Sequence, residues 1–311
     1  MSSIPNDHEA RVQRALISLA GLSVGDAFGE RFFGPPGFAQ SLIGQRKPPP
    51  PKWSWTDDTA MALSVVEVLI RHGRVDQDDL AACFARRHQE EPDRGYGAGA
   101  RQILTSIDAG VMWRVAAAQP FGEQGSHGNG GAMRAAPLGA YFADDLDQLV
   151  DQALLSAQVT HLHPDGQAGA VAVALAAAFA CLHRRAPETL AGQTLLAFVE
   201  SRTPPGEVRL GIRQAIAMPP ATTVAHAASV LGSGYRVSAP DTVPFCLWSA
   251  SRYFDNYEEA LWQTVSALGD RDTTCAIVGG IVVMNTGLAS IPDRWLASRE
   301  GLPLAFKPKP T

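Results

Sequence analysis

Trp55-Thr56-Asp57-Asp58-Thr59-Ala60-Met61-Ala62-Leu63-Ser64-Val65-Val66-Glu67-Val68-Leu69-Ile70-Arg71-His72-Gly73 is the stretch on which the fold is read. Met61, Val65, Val68 and Leu69 recur at helical spacing and Gly73 stops the run, which predicts a helix beginning near Ala60. Working outward, Val12, Ala15, Leu16, Leu19 and Ala20 form a second apolar stripe ahead of Gly25. Leu146, Leu149, Val150, Ala153 and Leu154 repeat the pattern, as do Leu261, Val265 and Leu268. Asp78, Asp145 and Asn256 stand where N-caps are expected. Runs with strand periodicity are scarce, so the chain is expected to be all-α, with many helices joined by Gly- and Pro-rich loops.

No composition shift or fixed repeat divides the chain, and a single domain over residues 1–311 is expected. Two segments stand apart. Gly34 to Pro51 contains Pro35, Pro36 and the run Pro48 to Pro51, cannot be helical throughout, and reads as a functional or mobile loop. Gly301 to Thr311 reads as a frayed tail.

The chain is 46% hydrophobic and 18% charged, as soluble globular proteins are, with a formal net charge of -5. That balance gives no footprint for binding a nucleic-acid backbone. A small anionic substrate stays open, because bound metal ions can make a local site positive. Cys83, Cys181, Cys246 and Cys275 form no close pair and read as reduced thiols of a cytoplasmic protein. Met1 to Arg14 is polar, unlike a signal peptide. Ala168 to Leu182 is the most apolar run, falls short of the roughly 20 residues that span a bilayer, and is expected to be a core helix; no membrane role is expected.

Four stretches carry chemistry. Thr56-Asp57-Asp58 places two carboxylates and a hydroxyl at a helix start, the hard oxygen ligands that magnesium and manganese favour. Helix capping accounts for the same residues without a metal. Gly269-Asp270-Arg271-Asp272-Thr273-Thr274 repeats that chemistry ahead of a helix from about Cys275 to Gly287. If both helix starts face one point, their acids hold two cations a few Å apart. Gly125-Ser126-His127-Gly128-Asn129-Gly130-Gly131-Ala132-Met133-Arg134 reads either as an ordinary turn or as a loop whose N–H groups cradle phosphate. In Thr160-His161-Leu162-His163-Pro164 the histidines read as hydrogen-bonding or packing groups, since no Cys or third His lies nearby.

Together with Gly25-Asp26-Ala27-Phe28-Gly29, these stretches resemble, in order and wording, the ADP-ribosylglycohydrolase family from Arg14 to about Gly287. Pro92-Asp93-Arg94-Gly95-Tyr96-Gly97-Ala98-Gly99 and Gly125 to Asn129 resemble its branch acting on serine-linked ADP-ribose, poly(ADP-ribose) and O-acetyl-ADP-ribose. The resemblance implies an orthogonal all-α bundle that releases ADP-ribose from a protein or small-molecule acceptor. It implies a binuclear magnesium or manganese centre held by Thr56, Asp57, Asp58, Asp270, Asp272 and Thr273. It also implies that Gly125, Ser126, His127, Gly128 and Asn129 hold the diphosphate and distal ribose, and that His161 touches substrate. The family glutamate seven positions after Asp26 is replaced by Phe33; Glu30, one helical turn earlier, is either its substitute or a solvated charge beside Arg31. Asp57, Asp58 or Glu30 is the expected catalytic base. The rival readings are an arginine-specific hydrolase of the family, an inactive relative that binds ADP-ribose, and an unrelated magnesium phosphohydrolase. An O-linked substrate is favoured because a guanidinium leaving group needs an acid at the mouth. The loops assigned to the mouth offer none, and Gly34 to Pro51, expected to overhang it, ends in Arg46, Lys47 and Lys52.

Overall fold

The computed structural model describes residues 4–35, 37–184 and 188–309, residues 188–193 by their backbone. Pro36, the first three residues and the last two of the expected tail lie outside the described residues. The helices are, in order, α1 (His8–Glu30), α2 (Phe38–Gly44), α3 (Asp57–His72), α4 (Gln77–Glu90), α5 (Ala98–Asp108), α6 (Trp113–Ala118), α7 (Pro120–Glu123), α8 (Gly130–Met133) and α9 (Ala136–Tyr141). There follow α10 (Leu146–Gln158), α11 (Pro164–Leu182), α12 (Glu188–Arg202), α13 (Glu207–Ala217), α14 (Val224–Leu231), α15 (Ala239–Arg252), α16 (Tyr257–Val265), α17 (Arg271–Thr286) and α18 (Asp293–Ser298). Extended pairing among the described residues is confined to two isolated bridges, Trp53 with Arg299 and Gly128 with Ser238. The fold is all-α.

Helix boundaries differ from the expectation where a side chain caps or a glycine packs. α3 starts at Asp57, because Thr56 is its N-cap and accepts from the Asp58 N–H at 3.4 Å, so both acids belong to the first turn. α17 likewise takes in Asp272 and Thr273. Asp145 and Asn256 cap α10 and α16 as expected. On α4 the cap is Asp76 and not Asp78: its carboxylate accepts from the Asp79 N–H at 3.1 Å. α1 does not end near Gly25 but runs on to Glu30.

Gly25 is where α1 and α17 touch. A Cβ on Gly21 would meet Gly279 O at 2.6 Å, one on Gly25 would meet Cys275 O at 2.1 Å, and one on Gly29 would meet Arg271 O at 2.1 Å. These glycines recur every fourth residue along α1 and oppose positions every fourth residue of α17 in reverse order. The two helices therefore lie antiparallel with backbones closer than any side chain allows. The crossing sets the last turn of α1 against the first turn of α17.

An aromatic cluster locks the same end. Phe28 stacks on Trp295 at 4.4 Å between ring centres and meets Trp53 and Trp262 edge-on. Trp53 donates to Ser298 O and accepts from Glu300 N–H, each at 2.8 Å, which ties the segment ahead of α3 to the end of α18. α11 is long and apolar enough to cross a membrane by length and composition; it packs against α8, α9, α10, α12, α15 and α17, and 89% of its apolar window is buried inside the protein.

Two segments depart from the sequence reading. Gly34 to Pro51 holds the short helix α2, and Arg46 at its end pairs with Glu259 at 2.6 and 2.8 Å. The chain end is packed: Leu302 and Phe306 are buried, and the Lys309 ammonium reaches Glu9 at 2.7 Å.

Candidate active site

Asp26, wholly buried on α1, organises the first acid cluster. Its carboxylate accepts the Thr56 N–H at 3.0 Å and hydroxyl at 2.9 Å, and the Thr59 N–H at 3.0 Å and hydroxyl at 2.5 Å. Burial raises this carboxyl to about 6 against the pull of those donors. The start of α3 is thereby fixed to α1, and Asp57 and Asp58 are displayed from it. Asp57 N–H also donates to Arg94 O at 2.7 Å.

The crossing of α1 and α17 brings the second cluster to the first. Thr273 Oγ1 lies 3.4 Å from Asp58 Oδ2, across 215 positions of sequence. Thr56 Oγ1 stands 3.1 Å from that same oxygen. Asp270 Oδ2 accepts from Asn129 Nδ2 at 2.7 Å, so the glycine loop joins the acids as well. Asp57 is raised to about 7, by burial first and then by the charge of Asp26. Asp58 is pushed well above the carboxylate range by burial, Asp26 and Asp272, and Asp272 by burial and Asp270. Such shifts mark negative charges gathered without enough positive charge among them. The buried Asp58 Oδ1 has no hydrogen-bond partner. Among the described residues no three His, Cys, Asp or Glu side chains stand as a ready-made metal cage. Several of the acid oxygens are instead taken by Thr56, Thr59, Thr273 and Asn129.

Asp57, Asp58, Asp270, Asp272, Thr273, Ser126 to Asn129 and His161 line one cavity of about 470 Å³. Gly125 is not part of that lining. It is a buried turn residue with φ +77°, where a Cβ would meet Leu162 Cβ at 2.6 Å. His161 is buried and held neutral, lowered to about 3 by burial and by the Arg134 charge. Arg134 Nη2 donates to Thr160 Oγ1 at 2.8 Å, so the Thr160 proton points to His161 Nδ1 at 2.7 Å. The imidazole proton is then on Nε2, against Gly128 and Gly130, where added Cβ atoms would stand 3.3 and 3.2 Å from that nitrogen. The loop glycines thus make room for His161. His163 caps α11, accepting from the Asp165 N–H at 3.1 Å, which is a hydrogen-bonding role as read from the sequence.

Glu30 lies half-buried in an adjoining cavity of about 660 Å³, with Phe33, Thr56 and Asp272. Burial, Asp26 and Asp270 raise its carboxyl, and Arg31 opposes them. It is therefore not a free solvated charge. The two cavities meet at Gly95 and Asp272. Glu90, Glu91 and Asp93 also line the outer one, whereas no described residue from 34 to 51 lines either. The expectation of a mouth without further acids is overturned, and Arg46 is spent on Glu259. These acids sit at the end of α4 and just beyond it, and only the tertiary fold carries them to the site.

The sequence reading also missed Phe121, Arg236 and Val237 in the inner cavity, where Arg134 closes the glycine stretch it had singled out. The Gly232-Ser233-Gly234 run was the available signal for the turn that carries the last two.

The family model described as ADP-ribosylglycohydrolase matches residues 7–306. The chain belongs to the ADP-ribosylglycohydrolase family. ADP-ribosylhydrolase ARH3 of Homo sapiens is 30% identical over 276 residues, covering 79% of this chain and 75% of that one. ADP-ribosyl-[dinitrogen reductase] glycohydrolase of Rhodospirillum rubrum is 28% identical over 296 residues, covering 91% and 89%. A solved structure titled ADP-ribosylglycohydrolase-related protein complex superposes with a TM-score of 0.62 at 27% identity, over 93% of each chain. As an ADP-ribosylglycohydrolase, this protein is a glycosidase acting on ADP-ribose linkages, and ADP-ribosylated molecules are its substrates.

Proposed function

We propose that the protein hydrolyses O-linked ADP-ribose, on serine, on an acyl group or in a polymer, using two divalent cations. The observation that carries the metal reading is the unpartnered, buried Asp58 Oδ1 among acids that raise one another. The oxygen donors Thr56, Asp57, Asp58, Asp270, Asp272 and Thr273 suit magnesium or manganese and would hold them. Held there, the cations would supply Lewis-acid chemistry to a sugar hydroxyl or to the attacking water, while the carboxylates offset the positive charge developing at the anomeric carbon.

The chain's own residues have separable tasks. His161 Nε2–H is a neutral donor directed at the glycine loop. The backbone N–H groups of Ser126 and His127 lie free for phosphate oxygens. Asp57, partly exposed in the inner cavity, takes a proton from the attacking water. Glu30, in the outer cavity, is the second candidate for that role, and Asp58 is the third.

The resemblance of Pro92 to Gly99 and Gly125 to Asn129 supports the O-linkage. One observation favours a second reading. Glu30 and Asp93 would welcome a guanidinium leaving group, as in arginine-linked ADP-ribose, beside Glu90 and Glu91, which pair with Arg86 and Arg94. Matched serine- and arginine-linked ADP-ribosyl peptides, with magnesium and then manganese, decide between them by kcat/KM. Faster release from the arginine peptide refutes the O-linkage reading and leaves the glycosidase standing.

A further inference from the structure

An ADP-ribose diphosphate needs positive charge, and the inner cavity is rich in acids. The glycine loop supplies less than its sequence promises. The Gly125 N–H is taken by Pro120 O at 3.1 Å, that of Gly128 by Ser126 Oγ at 3.1 Å, and that of Asn129 by Val237 O at 3.2 Å. Arg134 is buried and spends its Nη2 on Ser156 O and Thr160. Among the described residues, the remaining Arg or Lys lining this cavity is Arg236, whose guanidinium is exposed and forms no ion pair or hydrogen bond.

The backbone around Arg236 is built for placement. Gly232 and Gly234 have φ of +90° and +83°, and the β-branched Val237 is held at +53°. A residue of that type adopts positive φ only when its surroundings impose it. Here Val237 N–H donates to Gly234 O at 2.7 Å and Val237 O accepts from Asn129. Ala239 N–H donates to His127 O at 2.9 Å, and Asp270 N–H to Ser233 O at 3.0 Å. The Arg236 N–H is itself held by Asp241 Oδ2 at 2.8 Å. The turn from 232 to 237 is thus stitched to the glycine loop on one side and to the second acid cluster on the other. Strain at Val237 is maintained in the turn that seats a free cation on the cavity rim.

We infer that Arg236 binds the diphosphate of the substrate, completing an anion site with the free N–H groups of Ser126 and His127. The inference rests on the ADP-ribose reading above and adds a third wall to the site. Arg236 also borders a cavity of about 490 Å³ that contains Glu207 and Asp241. A guanidinium committed to those acids is the competing arrangement.

The test is calorimetric binding of ADP-ribose, ADP and adenosine to the full chain and to Arg236→Ala and Arg236→Lys, with steady-state kinetics on an ADP-ribosyl peptide. Losing a charge-assisted hydrogen bond is expected to weaken ADP-ribose and ADP by about tenfold to a hundredfold in Arg236→Ala. Adenosine should be unaffected, and KM should rise much more than kcat falls. Arg236→Lys should recover part of the affinity. Because the side chain is exposed and unpaired, both variants should fold as wild type does, and an unchanged melting temperature checks that. Equal ADP-ribose affinity in wild type and Arg236→Ala overturns the inference. An equal loss for adenosine also overturns it, since it moves Arg236 from diphosphate to base. Failure of the wild type to bind ADP-ribose refutes the ADP-ribose reading itself, and is told apart because it needs no variant.

Discussion

Replacing Gly25 by alanine tests whether a close helix crossing assembles the site. The added Cβ would stand 2.1 Å from Cys275 O, where ordinary contact begins at 3.4 Å, a shortfall of 3.4 − 2.1 = 1.3 Å. The obstructing atom is backbone inside a helix, so no side chain can swing away. α1 and α17 must separate by about 1 Å or distort, at about 1–3 kcal/mol for an overpacked core. Alanine regains up to about 1 kcal/mol of helix propensity, so the net destabilisation is smaller than the clash alone. Activity should suffer more than stability. Asp26, the next residue, holds Thr56 and Thr59 through bonds of 2.5–3.1 Å, and Thr273 meets Asp58 only through this crossing. A displacement near 1 Å at reacting groups costs about a hundredfold in rate. Gly44→Ala is the control, because nothing lies within 4 Å of the added Cβ, and it should be neutral or slightly stabilising. Thermal melts and kcat/KM on one ADP-ribosyl peptide measure both effects. A Gly25→Ala protein as active and as stable as wild type would refute the argument that this crossing brings the acids together.

Two further predictions follow from the acids. Asp57→Ala and Asp272→Ala should each abolish turnover, as should excess chelator. Magnesium at a hundred times its dissociation constant should stabilise wild type by about 2.7 kcal/mol, read as a higher melting temperature, and should not stabilise the variants. Full activity of both variants in chelator ends the two-cation proposal. Glu30→Gln should leave ADP-ribose affinity unchanged and lower kcat by about a hundredfold to ten-thousandfold if Glu30 is the base. An unchanged kcat reassigns that role to Asp57 or Asp58.

What the sequence disclosed and what it withheld divide along a physical line. The stripes of α1, α3, α10 and α16 could be read because a helix burying one face repeats its apolar residues at helical spacing; each lies within one element except Leu268, which falls beyond the end of α16 at Val265. The acids at Asp57, Asp58, Asp270 and Asp272 were visible for a similar reason: each pair sits within one helix start. Apart from the local caps of α3 and α4, the misreadings concern contacts between elements. Gly25 stood only as the residue beyond the first apolar stripe, whereas its value lies in what it lets Cys275 O approach. Asp26 looked like one letter of a motif; its role as the staple of α3 depends on donors thirty and more positions away. Glu90 and Glu91 drew no reading and Asp93 stood only in a motif; their meeting with Glu30 and Asp272 around one cavity is a product of topology. The last point bears on specificity. The residues proposed to recognise the sugar-phosphate lie in the inner cavity, and the carboxylates that would discriminate leaving groups lie in the outer one. The two cavities share Gly95 and Asp272, so the scissile bond would have to sit at that junction to feel both. Substitutions at Glu90, Glu91 or Asp93 should therefore shift the ratio of kcat/KM between serine- and arginine-linked peptides while leaving free ADP-ribose affinity unchanged. Loss of free ADP-ribose affinity in Asp93→Asn would show that the outer cavity is not the acceptor side.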